Sequence, residues 1–202
     1  MATPPPVLKH LLLVGPPGSG KGTLGPHLSD LLSVPHISSG QLLRASVTAG
    51  DPHRIGEQVS RGHLVPDRVV AQVVAEYLAN GFILDGYPRN VRQADELDRV
   101  LAADGRQIQL VLELVMPDDV ASARLSRRAR MESRSDDNPD TVAARLVTYR
   151  REAVPLLAHY ADRVRRVSAS GDLDEVFQRA ERALSSLPKG ARAQQAAPSA
   201  DG

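Results

Sequence analysis

Short apolar runs alternate with helical stretches along nearly the whole chain, and this restricts the fold more than any other feature. "HLLLVG" (10–15), "VPHIS" (34–38), "FILDG" (82–86), "IQLVLELV" (108–115) and "VRRVSAS" (164–170) read as strands. Most are apolar at consecutive positions, as strands covered on both faces must be. Between them the pattern is helical. One helix follows the glycines and runs to about Leu32. "SGQLLRASVTAG" (39–50) opens at Ser38 or Ser39 as N-cap, and "DPHRIGEQVSRG" (51–62) closes on Gly62. Asp67 caps "RVVAQVVAEYLANG" (68–81), "VRQADELDRVLAADG" covers 91–105, and Pro117 starts a helix as its first residue. "TVAARLVTYRREAVPLLAHY" (141–160) carries a Pro155 interruption, and "LDEVFQRAERALSSL" (173–187) is the last helix. Strands alternating with helices predict an α/β fold, a parallel sheet with helices on both faces. Ligands of such sheets sit at the carboxyl ends of the strands.

Composition narrows the class. The chain has 202 residues, 42% hydrophobic and 24% charged, with a formal net charge of +1, which suits one globular domain and gives no global pull toward nucleic acid or membrane. Aromatic residues are only 3%, too few to build the stacking platforms of a nucleic-acid binder. No apolar run reaches the ~18 residues of a membrane span. Cysteine is absent, so disulfides and a four-cysteine zinc site are excluded. The expected organisation is a flexible N-terminus at 1–7 ("MATPPP" is proline-rich), one domain over 8–187, and a disordered tail at 188–202 rich in Ala, Gly, Pro and Gln.

The first strand runs into "GPPGSGKGT" (15–23) and then a helix, the strand–glycine loop–helix context of a phosphate-binding loop. Gly18, Ser19, Gly20, Lys21, Gly22 and Thr23 can turn successive N–H groups toward a phosphate, and the helix start adds positive potential. Lys21 supplies a point charge for the terminal phosphates. The pattern G-x-x-x-x-G-K-[ST] fails at one place, because Gly22 stands where a magnesium-touching hydroxyl is expected. An ion at this loop would then be held by nucleotide oxygens and waters, and Asp85, ending "FILD" at the same sheet edge, is placed to hold those waters. The other reading of Asp85 is a turn cap.

Four stretches, in order, complete the pattern: "GPPGSGKGT", "ISSGQLLR" (37–44), "GFILDGYPRNVRQADEL" (81–97) and "ARLSRRARMESRSDDNPDTVAARL" (123–146). Together they resemble the signatures of the adenylate kinase family, over roughly residues 8–185. Gly in the place of Gly22 is that family's own form of the loop. The resemblance implies a P-loop three-layer fold with a five-stranded parallel sheet, a small helical NMP-binding segment at 38–67 and a LID at 130–140. It implies phosphoryl transfer from Mg-ATP to AMP, reversibly giving two ADP. It assigns Gly18 through Thr23, Arg124, Arg128 and Gly171 to ATP. It assigns Ser39, Arg44, His63, Leu64, Val65, Gly86, Tyr87, Pro88, Arg89, Gln93, Arg134 and Arg145 to AMP. Lys21, Asp85, Arg89, Arg128, Arg134 and Arg145 would carry the transfer, with Asp85 reaching Mg2+ through water. Phosphoryl transfer asks chiefly for in-line placement and positive charge, which this arginine-rich set can supply. Arg124 and Arg128, four residues apart, share a helix face, whereas Arg127 and Arg130 read as exposed.

The segment "ARMESRSDDN" (129–138) is similar to short-LID members and lacks a zinc-binding hairpin, so magnesium is the expected cofactor and zinc is not. Asp136 and Asp137 would either tie LID arginines or lie in solvent. No histidine has metal-ligand spacing, and His27, His36 and His53 read as structural or surface residues. A cytoplasmic monomer binding small nucleotides, with neither membrane nor nucleic acid as partner, is the expectation that follows.

Three departures stand out against the resemblance: Ser39, which keeps the hydroxyl of a Thr but loses its methyl, Gln41 in place of an Asp, and the stretch after Thr23. The family's S-T-G-D is here Ser38-Ser39-Gly40-Gln41, so an acid that would help hold magnesium waters is a neutral amide. "TLGPHL" (23–28) replaces the usual Gln after the Thr, and Pro26 reshapes the helix start. Gln93 is the residue that reads an adenine edge in adenylate kinases, because one amide offers a donor and an acceptor together. AMP therefore leads as acceptor. A kinase for another or unusual nucleoside monophosphate, or a catalytically weak nucleotide-binding paralogue, stays open at this point.

Overall fold

The computed structural model describes residues 8–52, 55–56, 65–78, 81–132 and 139–185, and the side chains of 128–132 and 139–141 fall outside that description. Five strands form one parallel sheet: β1 (His10–Val14), β2 (His36–Ser38), β3 (Phe82–Asp85), β4 (Leu110–Val115) and β5 (Val164–Ser168), in the order β2-β3-β1-β4-β5. The described helices are α1 (Lys21–Leu32), α2 (Ser39–Thr48), α3 (Asp67–Ala75), α4 (Val91–Ala103), α5 (Asp118–Glu132), α6 (Pro139–His159) and α7 (Leu173–Ser185).

Alternate residues of each strand feed two separate cores. Leu12 and Val14 of β1, with Phe82 and Leu84 of β3, join Leu97 and Leu101 of α4 and Tyr160 on one face. Leu11 and Leu13 of β1, with Ile83, join Leu24 and Leu28 of α1, Leu125 of α5 and Leu184 of α7 on the other. This is the period of two of a strand read against helices on both sides, and it confirms the three-layer α/β expectation. Leu11, Leu12, Ile83, Val111 and Leu112 are fully buried, each contributing about 1.5–3 kcal/mol. The sheet centre thus holds the fold, and the strand ends are left for polar groups.

Four local expectations change. Asp67 is the first residue of α3 and Pro66 its N-cap; the Asp67 carboxylate turns to Gln93 instead of capping its own helix. Pro117 lies one residue before α5, its carbonyl accepting from Ala121 N–H at 3.0 Å, so it precedes the helix rather than opening it. Pro155 does not interrupt α6, which runs through it to His159. Pro26 sits six residues into α1, past the first turn, and the helix continues through it too. In both helices packing on either side of the proline outweighs one missing backbone bond. The expectations for 1–7, for most of 51–62, for 133–138 of the LID and for 188–202 lie outside the described residues.

Candidate functional site

The sheet register sets the site. Asp85, the last residue of β3, pairs with Leu13 of β1 on one side and Ser38 of β2 on the other. Three strands therefore end level, and the loops that follow them face one another.

After β1 the chain bends through Gly15–Gly20 into α1. Gly18 (φ 80°) and Gly20 (φ 91°, the N-cap of α1) have left-handed backbones, which glycine adopts without steric cost. A Cβ on Gly18 would stand 2.9 Å from the Ala121 carbonyl of α5, so α5 packs directly onto this loop. Arg124, one turn beyond Ala121, is partly buried, while Arg127 is exposed as expected. Lys21 Nζ donates to the carbonyls of Gly15 at 2.7 Å and Pro16 at 3.1 Å and lies 3.4 Å from Ser19 Oγ. The ammonium is thereby held over the loop. Gly22 and Thr23 are exposed, and among the described residues a Cβ on Gly22 would meet nothing within 4 Å. Packing among the described residues does not require glycine there.

Asp85 is 8% exposed. Burial alone would raise its pKa, but the neighbouring His36, Lys21 and Arg89 outweigh burial and leave it below the ordinary carboxylate value. Asp85 is accordingly an anion at neutral pH, acted on by both the loop lysine and Arg89. His36 Nε2 stands 3.8 Å from Asp85 Oδ2, too far for a hydrogen bond, and has no hydrogen-bond partner among the described residues. From sequence His36 reads as a structural or surface residue. It pairs with Ile83 in β3, and the period of two brings residues 36, 83 and 85 to one face; that register was the signal available for it.

Across Asp85 lies a second polar cluster. Ser39, first residue of α2, is 1% exposed, and its Oγ has no hydrogen-bond partner among the described residues, an orphaned buried hydroxyl next to Gly86. Gly86 (φ 80°) leaves that hydroxyl room: a Cβ there would lie 2.7 Å from it. Arg89 Nε donates to the Gly86 carbonyl at 2.7 Å, which aims its guanidinium. Arg89 has its pKa lowered first by burial and then by Arg145 and Arg44, with Asp85 opposing. It remains charged, as arginine does. Three guanidinium groups from three elements (Arg44 on α2, Arg89 after β3, Arg145 on α6) thus bear on one place.

Gln93 is 5% exposed at the start of α4. Its Oε1 accepts from Arg89 N–H at 2.7 Å, and its Nε2 donates to Asp67 Oδ1 at 2.6 Å. Its backbone N–H is capped by Asn90 Oδ1 at 2.9 Å. Buried Tyr87 closes the floor, its hydroxyl pushed up to about 12 by burial and by the Glu96 and Asp67 charges, so it stays a neutral phenol. Val65, just before Asp67 in sequence, and Pro88, next to Tyr87, are buried. Sequence reasoning missed Asp67, because its position before an apolar run reads equally well as a cap.

Comparison with known proteins decides the family. The family model described as adenylate kinase matches residues 13–165. A protein of Thermobifida fusca named adenylate kinase is 43% identical over 188 residues, covering 88% of this chain and 98% of the relative. A Xanthomonas campestris protein of the same name is 44% identical over 184 residues, covering 87% and 98%.

The chain belongs to the adenylate kinase family.

The adenylate kinase match runs from the end of β1 to the start of β5, so it contains the phosphate loop, Asp85, Arg89, Gln93 and Arg145. Gly171 falls beyond it, on the exposed turn after β5, with φ 97°. Of the residues an adenylate kinase reading assigns, the fold gathers Gly18 to Thr23, Ser39, Arg44, Asp85, Gly86, Tyr87, Arg89, Gln93 and Arg145 around the level ends of β1, β2 and β3. His63, Leu64 and Arg134 lie outside the described residues, as does the side chain of Arg128.

Proposed function

We propose that the chain transfers the terminal phosphoryl group of Mg-ATP to AMP and runs the reaction in reverse from two ADP. The observation that carries this is a pair of cation-lined sites facing each other over one buried anion. The Lys21 loop lies on one side of Asp85; Arg44, Arg89 and Arg145 lie on the other. Two polyanionic nucleotides placed there meet with their phosphates between the two sets of charges.

The roles follow from chemistry. The N–H groups from Gly18 to Thr23 and the Lys21 ammonium hold the donor phosphates. Arg89, fixed by Gly86, and Arg44 hold the acceptor α-phosphate. Arg145, with Arg128 and Arg134, offsets charge on the moving group. Arg124 and Gly171 complete the ATP side. Ser39, Val65, Gly86, Tyr87, Pro88, Gln93, His63 and Leu64 line the AMP side. Closure of the LID, 130–140, over the NMP-binding segment, 38–67, excludes water, which would otherwise compete as acceptor.

The site suits Mg2+ held through water. Magnesium keeps several waters and needs only one or two carboxylates beside substrate phosphates, and Asp85 is one buried, ionised carboxylate of that kind. The ion, when bound, neutralises phosphate charge. With Gln41 exposed and neutral in the first turn of α2, Asp85 is left as the principal carboxylate. Gln93 favours a 6-amino purine, and the relatives' shared name favours AMP over other acceptors. We further assign the protein to the cytoplasm, as a monomer working on small nucleotides. Among the described residues no helix is long and apolar enough to cross a membrane.

An acceptor panel tests this reading. Purified protein is mixed with Mg-ATP and AMP, GMP, CMP, UMP or dTMP, and diphosphate formation is followed by chromatography. AMP should be converted far faster than the rest, and Lys21→Ala should lose on the order of 10²–10³-fold in rate. Preference for another monophosphate, or turnover indifferent to Lys21→Ala, overturns it.

A further inference from the structure

Gln93 is held from both ends by groups that cannot exchange roles. Arg89 N–H can only donate, and it meets Oε1 at 2.7 Å. The Asp67 carboxylate can only accept, and it meets Nε2 at 2.6 Å. Each contact separately selects the same orientation of the amide. Rotating the amide by half a turn would set its oxygen against the carboxylate and its NH2 against the Arg89 N–H. One lone pair of Oε1 and one N–H of Nε2 remain for a ligand, and their order in space is fixed.

That order matters to a purine. The 6-amino edge presents a donor at N6 and an acceptor at N1. The 6-oxo edge of guanine or hypoxanthine presents an acceptor at O6 and a donor at N1. A glutamine free to turn over can serve either edge in the same pose. A glutamine that cannot turn over serves one and faces the other with two like-on-like contacts, which exclude more strongly than a missing contact does.

We propose that Asp67 is a specificity-determining residue: by accepting from Gln93 Nε2 it locks the amide and so restricts the acceptor base to a 6-amino purine. The inference rests on the reading of Gln93 as the base-contacting residue. Asp67 acts through Gln93 as a positioning residue. It lies in the first turn of α3, 26 residues before the amide it holds, so the lock couples α3 to α4 across the floor of the acceptor side.

Asp67→Asn tests the lock at nearly constant size, because an asparagine amide can donate as well as accept. The readout is the ratio of kcat/KM for IMP to that for AMP, measured with Mg-ATP on the full chain, with a thermal melt beside it. The wild type should favour AMP strongly; in Asp67→Asn the Arg89 N–H still opposes the turned-over amide, but one of the two like-on-like contacts is gone, so the IMP-to-AMP ratio should rise about tenfold. GMP should gain in the same direction. A change in packing alone would lower both substrates together and leave the ratio unmoved. If the melt shows Asp67→Asn unfolded, Asp67→Ser, whose hydroxyl also donates or accepts, is judged by the same ratio. A wild type that prefers AMP and a folded variant with an unchanged ratio overturn the lock alone. A wild type that prefers a 6-oxo purine overturns both the lock and the function it rests on.

Discussion

Gly25 and His36 fill one space. A Cβ placed on Gly25 would stand 2.3 Å from His36 ring atoms, so a glycine in α1 is what allows an imidazole on β2 beside Asp85. The unusual "TLGPHL" of the sequence thereby acquires a structural reason at its glycine. Gly25→Ala should push the ring against Asp85 or out of the sheet edge, at a cost of about 1–3 kcal/mol of stability. Combining it with His36→Ala should return most of that loss. Denaturant melts of the two single variants and the double variant check this, and additive losses would show that the two sites are not in contact.

Asp85 gives a pH dependence whose sign is fixed. Its pKa is lowered in the folded protein, where burial is outweighed by His36, Lys21 and Arg89. A carboxylate of depressed pKa stabilises the fold above its unfolded pKa, about 3.9, and that contribution is lost as pH falls through the folded value. Asp85→Asn removes the titration. The stability difference between wild type and Asp85→Asn should shrink as melts are taken to progressively lower pH below that value. A difference that grows on acidification would mean that burial, not the neighbouring cations, controls this group.

Gly86 follows β3 directly and lies against Ser39. Its φ is 80°, and a Cβ would come within 2.7 Å of buried Ser39 Oγ. Gly86→Ala should lower stability by about 1–2 kcal/mol through the left-handed backbone and raise KM for AMP much more than KM for ATP. Steady-state kinetics with each nucleotide varied in turn separate the two. Equal effects on both would move Gly86 out of the acceptor site.

Gln41 is the missing acid. It is exposed in the first turn of α2, where a carboxylate would also meet the favourable end of the helix dipole. Gln41→Asp should lower the magnesium concentration needed for half-maximal rate, by roughly tenfold if it acts as outer-sphere residues do. An unchanged magnesium titration would mean that Asp85 alone suffices.

The sequence and the structure agree where one local pattern admits one outcome. The consecutive apolar residues of β1, β3 and β4 read as buried strands, and the glycine loop after the first of them reads as opening α1 at the sheet's carboxyl edge. Gly18, Lys21, Asp85 and Arg89 were therefore legible, together with the five strands and the two-sided core. Legibility failed where a residue's partner is set by register between distant segments. His36 meets Asp85 only because β2 pairs beside β3. Asp67 finds Gln93 only because α3 packs against α4, and nothing within a few residues of either announces it. Pro155 misled for a related reason: Leu156 and Tyr160 are anchored in one core and Val142 and Leu146 in the other, and that anchoring carries α6 through a residue that breaks isolated helices.

The most direct test needs one nucleotide. Purified protein is given ADP and magnesium alone, and phosphorus NMR follows the β-phosphorus signal of ATP. If the two cation-lined sites flanking Asp85 hold a donor and an acceptor together, ADP will convert to equal amounts of ATP and AMP, and Lys21→Ala will slow the conversion by on the order of 10²–10³-fold. ADP that stays unchanged with folded, nucleotide-binding protein would contradict phosphoryl transfer at this site.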